Sequence, residues 1–269
     1  MLVSPRDVLG RDVGPDVRVQ FTSLRGPVVR SLSLGSDGPG TTPHVVVLPG
    51  LGLPFYTIPT ARAIASRGLA CTVLDLPGFG SNLPRPTSPS IHAAGLLAAR
   101  WIEARRGDRP VVVLGHSTGG QAALTAALAV GVHHRRLALV LAGTTFAPEQ
   151  RRLDRLVRAT PFAYRDDRLD QIDPMEVWRG RTGILAMLRS GLHDAPEERI
   201  ARLTAPLTVT AGVHDAFAPL AWLDQLALAA TAAPSVRTSL LGGSHNNLFT
   251  HPDEVADLVL RAAADTTSE

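Results

Sequence analysis

The sequence predicts an α/β fold, a mostly parallel central sheet with helices on both faces. From Val45 onward, apolar β-branched runs alternate with Ala-rich stretches of helical spacing. Several of these runs lack the polar alternation of half-exposed strands, as expected of strands buried on both faces. One run, Val111-Val112-Val113-Leu114, ends abruptly in Gly115-His116-Ser117-Thr118-Gly119, with almost no loop before the next Ala-rich segment.

The elements follow in order. Alternation in Val17-Arg18-Val19-Gln20-Phe21 and again from Val28 to Leu34 predicts an antiparallel pair at the sheet edge, where one face stays polar. Gly35-Ser36-Asp37-Gly38-Pro39-Gly40 is a turn. Core strands are expected at Val45-Val46-Val47-Leu48, at Val73-Leu74 and at 111–114, with helices over 56–67, 90–106 and 117–131. A strand over 137–142 leads into Gly143-Thr144-Thr145, and the β-α rhythm then stops until Leu207. The interval 146–204 is dense in arginine and aspartate and has no β-branched run, so it predicts a helical insertion, a cap, on a core made of 1–145 and 205–269. Most of its apolar residues (Leu153, Leu156, Val157, Ile184, Leu185, Leu188, Leu192) are expected to form the cap's own small core. Phe146, Phe162, Tyr164, Trp178 and Met187 are the candidates for a substrate pocket. A strand over 207–212, a helix over 220–232, a strand over 236–241 and a final helix after Pro252 complete the pattern.

A serine on so sharp a strand-to-helix bend has an exposed hydroxyl next to a helix N-terminus, which favours developing negative charge. To act as a nucleophile it needs a base and a group to orient that base, in the chain order serine, acid, histidine for this topology. Asp215 follows the strand 207–212 in a turn, and His245 lies in the loop Gly242-Gly243-Ser244-His245-Asn246-Asn247 after the last strand. Ser117, Asp215 and His245 are therefore the expected triad. Asp75, at another strand end, is the rival acid; it precedes the nucleophile, and its carboxylate is expected to satisfy local backbone N–H groups instead. His251 is the rival base, but it stands immediately before Pro252, where the final helix begins. His116 and His214 adjoin the candidates without fitting the base's position, and His133-His134 read as loop residues, so no metal is expected.

On these residues the chain resembles the α/β-hydrolase family over nearly all its length. Val45-Val46-Val47-Leu48-Pro49-Gly50-Leu51-Gly52 is similar to the family's loop after the third strand, with Pro49-Gly50 where the family carries His-Gly. Val73-Leu74-Asp75-Leu76-Pro77-Gly78-Phe79-Gly80-Ser81 is similar to its Asp-x-x-Gly-x-Gly turn. The resemblance implies an oxyanion hole made of the backbone N–H groups of Leu51 and Thr118. It implies a serine hydrolase of the esterase and lipase branch, acting on a small-molecule acyl substrate without a cofactor. Acyl transfer to another acceptor, thioester, lactone or carbon–carbon cleavage, peracid formation, and a ligand receptor that keeps the fold without turnover are the alternatives.

Composition narrows the classes further. All 27 basic residues are arginine, which excludes lysine Schiff-base chemistry and lysine-dependent phosphate loops. The net charge is only +3 and the arginines are interspersed with carboxylates, so no nucleic-acid stripe stands out. With no apolar run long enough to span a membrane and no signal-like N-terminus, a cytoplasmic protein is expected. A single cysteine, Cys71, precludes an intrachain disulfide.

Overall fold

A computed structural model describes residues 13–76, 89–131, 136–167 and 174–267. Among them, eight strands form one sheet: β1 (Arg18–Ser23), β2 (Val28–Leu34), β3 (His44–Leu48), β4 (Cys71–Asp75), β5 (Val111–His116), β6 (Leu137–Ala142), β7 (Leu207–Gly212) and β8 (Val236–Leu241). Their order across the sheet is β1-β2-β4-β3-β5-β6-β7-β8. The expected hairpin β1–β2 is antiparallel and lies at the edge, β2 joins β4 antiparallel, and β4 through β8 are parallel.

Burial on both faces explains the continuous apolar runs. In β5, Val111 and Val113 point into one core layer while Val112 and Leu114 point into the other. The first layer is covered by α2 (Ile91–Arg106) and α3 (Thr118–Val130), which contribute Trp101, Ile102, Ala123 and Leu124. The second lies under α1 (Ile58–Ser66) and the last helix, which contribute Ile64, Val255 and Val259. Helix α2 starts where its sequence says it should: Ser90 is extended, and its side chain accepts a hydrogen bond from the Ala93 amide at 3.2 Å.

Between β6 and β7 lie α4 (Leu153–Ala163), α5 (Pro174–His193) and the single turn α6 (Pro196–Arg199). Phe146, Leu156, Ala163 and Phe217 form a small cluster of their own, with Leu188 and Leu192 packed against it. Met187 of α5 instead belongs to the main core. Helix α5 is tied down by Gln121, whose amide donates to the Gly191 carbonyl at 2.9 Å, and by Ser190, whose hydroxyl accepts from the Ile91 amide at 3.0 Å. The chain ends with α7 (Leu220–Ala229), α8 (Asn247–Thr250) and α9 (Pro252–Asp265). No helix among the described residues is long and apolar enough to cross a membrane.

The strand order reverses direction at β3, since β4 lies on one side of it and β5 on the other. A crevice opens at such a reversal beyond the carboxyl ends of the strands. The loop after β3 and the turn after β5 leave the sheet at that point.

Candidate active site

Ser117 joins β5 to α3 in a left-handed conformation, with φ of 55° and ψ of −128°. The turn is that sharp because its neighbours lack side chains: a Cβ on Gly119 would lie 2.6 Å from the Pro49 carbonyl oxygen, and one on Gly115 would lie 2.5 Å from the Ala123 Cβ. The Ser117 amide donates to the Ala142 carbonyl at 3.0 Å, which pins the turn to the neighbouring strand.

The three expected residues meet. His245 Nε2 is 3.0 Å from the Ser117 hydroxyl oxygen, and His245 Nδ1 is 2.9 Å from Asp215 Oδ2. The carboxylate can only accept, so Nδ1 carries the proton and bare Nε2 accepts from the serine. The other Asp215 oxygen accepts from the amides of Phe217 at 2.9 Å and Ala218 at 3.1 Å, which fixes the carboxylate plane. Relative exposures of 8% for Ser117, 4% for Asp215 and 2% for His245 keep the array nearly dry.

The rivals have other partners. Asp75 pairs with the buried Arg30, whose Nε donates to its Oδ2 at 2.5 Å. The antiparallel register sets Arg30 of β2 directly opposite Asp75, a partner not anticipated from the sequence. The turn after Asp75, from Pro77 to Ser81, and the His133-His134 pair lie outside the described residues. The His251 ring lies against Gly242 and Gly243 and bonds the Thr250 hydroxyl at 2.9 Å. His214 pairs with Asp166 at 2.7 Å. Cys71 is fully buried, and burial pushes its thiol pKa far up, so it is no nucleophile.

The backbone at Leu51 is left-handed too, with φ of 51°. Its amide donates to the Thr118 hydroxyl at 2.7 Å, so the two residues expected to supply oxyanion donors touch each other. Of the pocket candidates, Tyr164 lies edge-on to His245, with centroids 5.6 Å apart. Phe146 is buried and packs on Phe217 at 6.2 Å. Phe162 and Trp178 are 64% and 62% exposed at the surfaces of α4 and α5. Sequence reasoning missed Phe217, whose ring is edge-on to His245 at 5.0 Å. Its position two residues after the acid, where its own amide holds Asp215, was the available signal.

A family model described as the alpha/beta hydrolase family matches residues 45–258, which contain Ser117, Asp215 and His245. The chain belongs to the alpha/beta hydrolase family. Among curated proteins no sequence matches it. Three solved structures place this alpha/beta hydrolase among similar folds. A thioesterase domain from the curacin biosynthetic pathway is 21% identical with a TM-score of 0.65, over 91% of this chain and 99% of that one. An enol-lactonase from Burkholderia xenovorans LB400 is 16% identical with a TM-score of 0.70, over 91% and 100%. A carboxylesterase from Bacillus subtilis is 14% identical with a TM-score of 0.67, over 93% of each chain. At such identities the likeness is one of fold.

Proposed function

We propose that this alpha/beta hydrolase is a serine hydrolase that cleaves a carboxylic ester or related acyl bond through an acyl-enzyme on Ser117. The observation that carries the reading is the continuous chain of hydrogen bonds from the Ser117 hydroxyl through His245 to Asp215, at 3.0 and 2.9 Å. The Ser117 oxygen bonds to the acyl carbon while its proton passes to His245 Nε2. Asp215 stabilises the imidazolium and holds its tautomer. The tetrahedral intermediate then collapses, the acyl–oxygen bond of the substrate breaks, and the imidazolium proton goes to the leaving alkoxide. Water repeats the sequence: its proton goes to His245, its oxygen bonds to the acyl carbon, and the Ser117–acyl bond breaks as the proton returns to the serine.

The negative oxygen of each intermediate is held by the Thr118 and Leu51 amides, each worth about 3 kcal/mol in comparable sites. The Leu51 amide serves once the Thr118 hydroxyl turns away from it. The segment 146–204 acts as the cap, and Tyr164 and Phe146 form an apolar wall beside the base. The cap role is supported by the last turn of α4, where the Ala163 carbonyl accepts from the His245 amide at 2.8 Å.

Labelling with a fluorophosphonate and steady-state turnover of short-chain aryl esters test the reading together. Wild-type protein is expected to be labelled at Ser117 and to turn over. Ser117→Ala is expected to lose both while keeping its melting temperature within a few degrees. Ordinary turnover by a folded Ser117→Ala variant overturns the mechanism, and labelling without turnover of any ester favours a receptor.

A further inference from the structure

His116, the residue before the nucleophile, is 1% exposed, and its ring bonds on both sides. Its Nε2 lies 2.7 Å from the backbone carbonyl oxygen of His245, and its Nδ1 lies 2.6 Å from the Tyr56 hydroxyl. Burial, with His245 beside it, pushes the His116 pKa down to about 3, so the ring is neutral and carries one proton. A carbonyl oxygen only accepts, so that proton is on Nε2. Nδ1 is then bare, and the Tyr56 hydroxyl must donate to it. The Tyr56 oxygen keeps a lone pair, and it receives the Gly50 amide at 2.6 Å.

The donors therefore run in one direction, from Gly50 N–H to the Tyr56 oxygen, from Tyr56 O–H to His116 Nδ1, and from His116 Nε2–H to the His245 carbonyl. One end is the residue before Leu51, in the loop after β3. The other is the backbone of the base, in the loop after β8. A buried histidine and tyrosine that only fill volume have no need to end on these two loops. We propose that Tyr56 and His116 are positioning residues whose relay fixes the loop carrying the Leu51 amide relative to His245, with Ser117 held between them. The clearance is small, since a Cβ on Gly50 would lie 2.8 Å from the Ser117 Cβ and 3.0 Å from the Tyr56 hydroxyl oxygen.

The inference rests on the serine-hydrolase reading for its effect on rate, but not for the relay itself. Nitrogen NMR of the His116 ring in the Ser117→Ala protein is expected to show the neutral Nε2–H tautomer; the Nδ1–H tautomer or a charged ring overturns the relay whatever the enzyme does. In the active protein, Tyr56→Phe removes one hydroxyl and His116→Phe removes both bonds. Each is expected to lower kcat and the fluorophosphonate labelling rate about 10- to 100-fold with KM within twofold, as for a small displacement of reacting groups. The double variant is expected to lose little more than the worse single one. A folded Tyr56→Phe protein with wild-type kcat, or one altered only in melting temperature, overturns the proposal. Activity surviving in Ser117→Ala would instead remove the underlying mechanism and leave the tautomer result standing.

Discussion

Asp75 and Asp215 are both buried carboxylates near strand ends, yet their partners assign them different work. Asp75 neutralises Arg30, and both are almost fully buried. Removing the charge takes this carboxylate from a buried guanidinium, a change that typically costs about 3–5 kcal/mol. Asp75→Asn is expected to show that loss in urea unfolding while its folded fraction keeps normal turnover. Asp215→Asn is expected to do the reverse. The retained amide oxygen can still accept from Phe217 and Ala218, so the loop stays, but the new NH2 faces His245 Nδ1 and selects the wrong tautomer. Turnover of a saturating activated ester should fall by about 10⁴ with little change in melting. An inactive, folded Asp75 variant beside a normal Asp215 variant would reverse the assignment.

At the scale of elements, the last turn of α4 and the residues just after it hold the two loops that carry Asp215 and His245. Asp166 pairs with His214, next to Asp215, and Asp167 Oδ1 accepts from the Ser244 hydroxyl, next to His245, at 3.1 Å. The hydrogen bond from His214 holds the Asp166 carboxyl below the usual range, so acidification breaks this contact only as pH falls through that lowered value. The exposed Asp166–His214 pair contributes about 0–1 kcal/mol, too little to govern global stability. Both contacts join the end of α4 to the loops that carry Asp215 and His245. Asp166→Asn combined with Ser244→Ala is expected to lower melting by no more than about 4 °C while changing the ratio of kcat/KM between short and long acyl esters at least threefold. An unchanged ratio would separate this end of α4 from substrate selection.

For the molecule as a whole, stability depends on pH through a histidine that must stay neutral. His116 packs against Tyr56 and His245, and folding holds its pKa near 3 against an ordinary 6.5. Below 6.5 the unfolded chain binds a proton there and the folded chain does not. The stability contribution is thus complete above 6.5 and is lost as pH falls from 6.5 toward 3, at up to about 1.4 kcal/mol per pH unit. Urea unfolding between pH 4 and 7 should show a steeper pH dependence for wild type than for His116→Phe, and equal slopes would contradict a depressed pKa. The sheet that buries this ring was largely legible in the sequence, because β5, β6 and β7 are buried on both faces and so read as unbroken apolar runs. The sharp turn at Ser117 was legible because its glycines answer a local steric demand. The Tyr56–His116 relay, the Arg30–Asp75 pair and the Phe217 ring were not, because each joins residues from separate loops or strands that only the assembled sheet brings together. The same assembly makes one amide unusually informative. The His245 N–H ends on the carbonyl of Ala163, in the final turn of α4, and not within its own loop. Its hydrogen–deuterium exchange should therefore follow the lifting of a single helix, opening far more often than the β5 amides that exchange only on global unfolding. His245 thus carries in its own backbone a clock for how often the helix above it lets go.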